Sequence, residues 1–156
     1  MYSCINPIKC LIVEDDKFKL DSVRIFLHEA LPGRFEITES GALSSATCAL
    51  AANRFDLMII DMSIPSHEPK AGAGSPVPLP NGGLDVLFEA NYLNQDAVCV
   101  VLTQYPDIPI EGLPVPIELA AAAIATKFGI IIAGCLKYSE TEDEWKLQLK
   151  KVLETL

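Results

Sequence analysis

Short apolar runs alternate with amphipathic stretches along the chain. The clearest run is Leu57-Met58-Ile59-Ile60, which ends on one carboxylate, Asp61. It is too short for a typical helix, and half of it is β-branched. It reads as a strand buried on both faces, the central-strand pattern of a parallel sheet. Pro65 stops the run from continuing as an ordinary central strand. Similar runs predict strands over 10–13, 97–102 and 130–136, with a shorter one over 35–38.

Helical periodicity fills the gaps. Leu20, Val23, Leu27, Ala30 and Leu31 give one face of a helix over 17–31, with Asp16 as N-cap and Pro32-Gly33 as stop. Ser40-Gly41 opens a second helix through Ala52, and Gly82-Gly83 reads as the start of a third, over 83–92. A fourth spans 117–128, with Gly129 as its C′ glycine. Ser139 or Thr141 caps a fifth, striped by Trp145, Leu149, Val152, Leu153 and Leu156. Two proline-rich segments, 66–82 and 106–116, read as long loops. Five β–α units in this order predict a parallel sheet with helices on both faces, a doubly wound α/β fold. The expected organisation is one domain over 1–156.

Composition narrows the function. Of 156 residues, 50% are hydrophobic, enough for a full core, and the formal charge of −9 argues against direct nucleic-acid binding. The five cysteines include no C-x-x-C. Cys10, Cys99 and Cys135 lie in or beside apolar runs, so they read as reduced, buried thiols of a cytoplasmic protein. No signal-peptide pattern opens the sequence. The longest apolar stretch, 117–136, carries Glu118, Lys127 and two glycines, and splits better into helix and strand than into a membrane span.

Candidate chemistry gathers at strand ends. The first strand ends in Glu14 and Asp15, the third in Asp61, the fourth in Thr103 and the fifth in Lys137. In a parallel sheet these ends share one edge, where ligands bind. Three crowded carboxylates call for a cation, and a hard divalent ion such as Mg²⁺ suits oxygen ligands. A carboxylate nucleophile, a metal, a lysine and a hydroxyl are the parts phosphoryl transfer needs. Asp61 is then the nucleophile, Lys137 a point charge on the phosphoryl group, and Thr103 a hydrogen-bond donor to it.

The motifs Leu11-Ile12-Val13-Glu14-Asp15, Ile59-Ile60-Asp61-Met62-Ser63-Ile64-Pro65, Gly82-Gly83-Leu84-Asp85-Val86-Leu87, Val101-Leu102-Thr103 and Leu136-Lys137 follow one another in order. Together they resemble the receiver domains of two-component response regulators, CheY-like proteins with a flavodoxin-like (βα)5 three-layer sandwich. The resemblance implies a stand-alone receiver rather than an enzyme, phosphorylated on Asp61 in a Mg²⁺-dependent phosphorelay. It implies that Glu14, Asp15, Asp61 and the Ser63 backbone carbonyl hold Mg²⁺, and that Thr103 and Lys137 read the phosphoryl group. The implied partners are a histidine kinase or histidine phosphotransfer protein and a downstream protein target, with no nucleic acid or membrane bound directly.

Three positions depart from the family pattern. Gln104 stands where a small residue is usual, Gly134 where an aromatic is usual, and Tyr138 where a proline is usual. They motivate one alternative, a phosphorylation-independent docking module of the same fold. A second alternative is a Mg²⁺-dependent phosphohydrolase, which Ser63 disfavours because such enzymes often place a second acid there. His67 reads as a solvated loop residue, and Trp145 as core packing.

Overall fold

The computed structural model describes residues 5–156. Cys4 lies outside them. The elements in chain order are β1 (Ile8–Val13), α1 (Lys17–Ala30), β2 (Phe35–Ser40), α2 (Leu43–Ala52), β3 (Leu57–Ile60), β4 (Ile64–Pro65), β5 (Pro78–Leu79), α3 (Gly82–Tyr92), β6 (Val98–Thr103), β7 (Asp107–Ile110), β8 (Leu113–Pro116), α4 (Ile117–Phe128), β9 (Gly134–Lys137) and α5 (Glu144–Leu153).

Five strands form one parallel sheet in the order β2-β1-β3-β6-β9. This is the doubly wound, flavodoxin-like arrangement the sequence implied. All four residues of β3 are buried, because both sheet faces are covered. Along β1, Leu11 and Val13 enter the cluster formed with α2, α3 and α4, while Cys10 and Ile12 enter the one formed with α1 and α5. The period of two in a strand thus sorts side chains into two cores. On the second face Trp145 is 1% exposed and meets Phe26 edge-on at 5.6 Å between centroids.

Most predicted helices match. Asp16 caps α1 by accepting a hydrogen bond from Lys19 N–H at 3.1 Å. Gly129 ends α4 at φ 67°, its N–H on the Ala125 carbonyl. At α5 the expected caps fail: the helix starts at Glu144, and the Ser139 hydroxyl instead accepts from the N–H groups of Thr141 and Glu142, shaping the preceding turn. The last strand is shorter than its apolar run and pairs only over Gly134–Lys137.

The proline-rich segment 106–116 is not a loop but a two-stranded hairpin, β7 against β8. Glu111 and Gly112 form its turn at φ 52° and 78°, the positive pair that a tight two-residue turn requires. Prolines survive here because of register. With Ile110 and Leu113 closing the turn, Pro109 faces Pro114 and Asp107 faces Pro116. In an antiparallel ribbon these are the non-hydrogen-bonded positions, so no ladder bond is lost. Ile108 and Ile110 then bury completely in the α4 face.

The other long segment, 66–82, is irregular except for β5, which pairs antiparallel with β4, and for Gly82, which opens α3. It is pinned across the sheet edge by Glu68, whose carboxylate accepts from Gly41 N–H at 3.1 Å and from the Ser45 hydroxyl at 2.8 Å. Among the described residues, no helix is long and apolar enough to cross a membrane.

Candidate functional site at the carboxyl edge of the sheet

Glu14 follows β1 and Asp61 follows β3, two adjacent strands, so their side chains meet. One carboxylate oxygen from each of Glu14, Asp15 and Asp61 lies within 4.8 Å of the others. Asp61 and Glu14 are 3% and 4% exposed, whereas Asp15 faces solvent. The expected acidic cluster is therefore assembled. A groove of about 550 Å³ runs from Glu14 and Asp15 beneath Glu68 and Pro69 of the long segment.

Backbone packing holds Asp61 rigidly. Its N–H bonds to the Val13 carbonyl at 2.9 Å. A Cβ placed on Gly83 would lie 2.3 Å from the Asp61 carbonyl oxygen. Glycine at this position lets the start of α3 lie directly on the backbone of the nucleophile candidate. The Gly82-Gly83 pair is thus a helix start, as its sequence suggested, with a packing reason behind it.

Thr103 is fully buried at the end of β6, paired in register with Lys137. Its hydroxyl accepts a hydrogen bond from Tyr105 N–H at 3.3 Å. A pocket lined by Met62, Ser63, Thr103 and the β7 residues Asp107 and Pro109 opens beside it. Ser63 and Thr103 therefore border one space, next to the acidic cluster.

The lysine differs from expectation. Lys137 is exposed and makes no ion pair among the described residues; it lines a groove with Glu118 and Glu142. The pleat explains this. Cys135 packs against the α4-side cluster and Leu136 against the α1–α5 cluster, so Lys137 returns to the α4 side. The ammonium in the acidic cluster is that of Lys19, from the first turns of α1. It lies 2.6 Å from Glu14 Oε2 and 3.4 Å from Asp61 Oδ2, and it donates to the Leu102 carbonyl at 2.6 Å. The spacing Lys19, Val23, Leu27 was a readable signal: these residues share one helical face, and the last two are core.

Burial dominates the electrostatics. It pushes the Glu14 carboxyl up to about 7, against the opposing pull of Lys19, with the Asp61 charge adding to the rise. Asp61 is also raised, first by burial, again against the pull of Lys19. Asp61 Oδ1 is buried without any hydrogen-bond partner. An anionic oxygen is rarely left so unless something else binds it. Around it stand hard oxygen donors suited to a divalent cation.

Tyr138, standing where receivers usually carry proline, is 7% exposed and turned toward α1 and α5. Its N–H bonds to the Thr103 carbonyl at 2.8 Å, and its hydroxyl donates to Ser22 at 3.2 Å. The backbone here contains no cis peptide bond among the described residues. His67 is exposed, and its Nδ1 lies 2.8 Å from the hydroxyl of its neighbour Ser66.

No family model matches the chain. The Detocs response regulatory protein DtcB of Vibrio alginolyticus is 32% identical over 147 residues, covering 93% of this chain and 99% of that protein. An uncharacterized protein of Sinorhizobium fredii, y4jR, is 20% identical over 144 residues, covering 92% and 95%. Among solved structures, the response regulator TrrA of Thermotoga maritima, in complex with Mg²⁺-BeF, aligns with a TM-score of 0.60 at 20% identity, covering 93% of this chain and 98% of that one. A CheY-like receiver domain protein of Methanospirillum hungatei gives 0.62 at 17%, covering 96% and 94%. At these identities the structural likeness speaks for the fold. Taken with the match to DtcB, it makes the chain a member of the response regulators, with the CheY-like receiver fold.

Proposed function

We propose that the protein is a phosphorylation switch in which Asp61 accepts a phosphoryl group and the changed edge is read by another protein. The observation that carries this reading is the unpartnered Asp61 Oδ1, buried at the centre of three clustered carboxylates. In the transfer, one Asp61 carboxylate oxygen forms a bond to phosphorus. The bond from phosphorus to the donor breaks, and its electron pair leaves with the donor. Attack by water on the acyl phosphate later returns the free carboxylate and inorganic phosphate.

Glu14, Asp15, Asp61 and the Ser63 backbone carbonyl would hold Mg²⁺. When bound, it supplies charge compensation for the transferring oxygens. Buried Thr103 is assigned to donate a hydrogen bond to a phosphoryl oxygen; Lys137, beside it in register but exposed and lining a groove with Glu118 and Glu142, would pair with the new charge only after its side chain swings across the strand end. The donor is a histidine kinase or a histidine phosphotransfer protein. The output is a protein contact, because a dianion introduced at a loop-lined acidic edge biases the surrounding segments.

The test is intact-mass measurement after incubation with a small-molecule phosphodonor, with and without Mg²⁺. One phosphoryl addition that needs Mg²⁺ and is lost in Asp61→Asn supports the reading. An unchanged mass with every donor class tried leaves a docking module in its place.

A further inference from the structure

We propose that Lys19 is a tethered counter-ion that competes with the divalent cation for Glu14 and Asp61. This rests on the reading that the pocket takes Mg²⁺.

An ammonium has three N–H donors and no acceptor. Lys19 has an acceptor for each: Glu14 Oε2, the Leu102 carbonyl and Asp61 Oδ2. The residue is only 3% exposed, so its charge is held in the protein interior. Removing two carboxylates from water is costly unless a cation accompanies them. In this chain a covalently attached cation fills that need before any metal arrives.

The position is specific to α1. Asp16 fixes the first turn of the helix through the Lys19 N–H, and the same Asp16 donates its own N–H to Glu14 Oε1 at 2.9 Å. Glu14 is thus aimed at Lys19 from both ends of one short link. Lys137 is exposed in a separate groove with Glu118 and Glu142 and makes no ion pair with Glu14 or Asp61.

A divalent ion taking oxygens from Glu14 and Asp61 has to share them with this ammonium or move it. The aromatic face of Tyr138 offers a second station: its ring centroid is 5.5 Å from Lys19 Nζ, within cation–π range. Mg²⁺ affinity in this protein is accordingly set by the work of displacing a built-in charge, and Lys19 tunes how readily the switch is loaded.

The experiment is calorimetric titration of the full chain with MgCl₂, comparing wild type, Lys19→Met and Lys9→Met. Deleting a like charge at this range is expected to tighten Mg²⁺ binding about tenfold or more. Lys9→Met is expected to stay within about twofold of wild type, since Lys9 is exposed near the amino end of β1, far from the cluster. Because Lys19→Met leaves two buried carboxylates without their counter-ion, wild-type protein with ¹⁵N-labelled lysine side chains gives an independent reading. The Lys19 Nζ resonance is expected to shift in step with Mg²⁺ saturation. Equal affinities in wild type and Lys19→Met, or a Lys19 resonance unmoved at saturation, overturn the inference and leave Mg²⁺ binding intact. Absence of Mg²⁺ binding by all three proteins overturns the metal reading, and the competition with it.

Discussion

The Tyr138 ring lies 5.3 Å from that of Trp145, tilted by 49°, and presents its face to the buried Lys19 ammonium. One aromatic side chain thus joins the acidic cluster to the core beneath α1 and α5. Trp145 is the only tryptophan in the chain, so its emission is an unambiguous reporter. Loading the pocket with Mg²⁺ is expected to change Trp145 fluorescence. Tyr138→Leu is expected to abolish most of that change while leaving the metal-binding isotherm intact. An undiminished signal in Tyr138→Leu would show that the pocket reaches Trp145 by another route.

Gly83 yields a stability prediction. An added Cβ would sit 2.3 Å from a backbone oxygen and 2.8 Å from Met62 Cα, neither of which can swing aside. Gly83→Ala is expected to cost about 3 kcal/mol or more, the upper range for overpacking. Urea unfolding checks this. A cost below about 1 kcal/mol would mean that α3 slides off the Asp61 backbone without penalty.

Glu68 closes the edge from outside the helices. Its carboxylate accepts from Gly41 N–H, just before α2, and from the Ser45 hydroxyl in the first turn. Glu68→Ala is expected to lower stability by about 1 kcal/mol, the usual net worth of such hydrogen bonds. It should also speed limited proteolysis within 66–82, which mass spectrometry of the fragments would locate. Unchanged cleavage would show that Glu68 does not hold the segment down.

The thiols differ sharply in environment. Cys48 is exposed, while burial pushes Cys99 up to about 11 and Cys135 up to about 12, and holds Cys10 higher still. In a Cys4→Ser background, one fast thiol is expected toward an alkylating reagent near neutral pH, and Cys48→Ser should remove it. These raised values have a linkage consequence. The folded state holds the buried thiol protons more tightly than the unfolded chain, whose thiols titrate near 9.0. The stability they support is full below that pH and falls as pH rises toward about 11. Denaturation midpoints that stay flat between those limits would contradict it.

Much of this was legible in the sequence because the sheet is buried on both faces. A run such as Leu57–Ile60 has no polar break, and it delivers Asp61 to the edge wherever its neighbours are parallel. The same logic brought Glu14 and Asp15 beside it. What stayed hidden depends on a pleat or a register. Lys137 follows Leu136, and one residue of alternation turns its side chain away from Lys19. The 106–116 segment looks unstructured in composition, yet its prolines fall on the positions of a hairpin that need no N–H. Lys19 was visible only as a charge on an apolar helical face, a pattern that fits a snorkelling surface residue equally well. The Glu68 contact joins distant segments, and no local pattern encodes it.

The central claim is that the phosphoryl group goes to one carboxylate among three neighbours. Borohydride reduction converts an aspartyl phosphate to homoserine, which marks the acceptor in a peptide map. After phosphorylation with Mg²⁺ and a small phosphodonor, homoserine is expected at position 61, with Glu14 and Asp15 unmodified. Reduction product at either of those positions, or at none of the three in protein whose mass shows a phosphoryl addition, would contradict it.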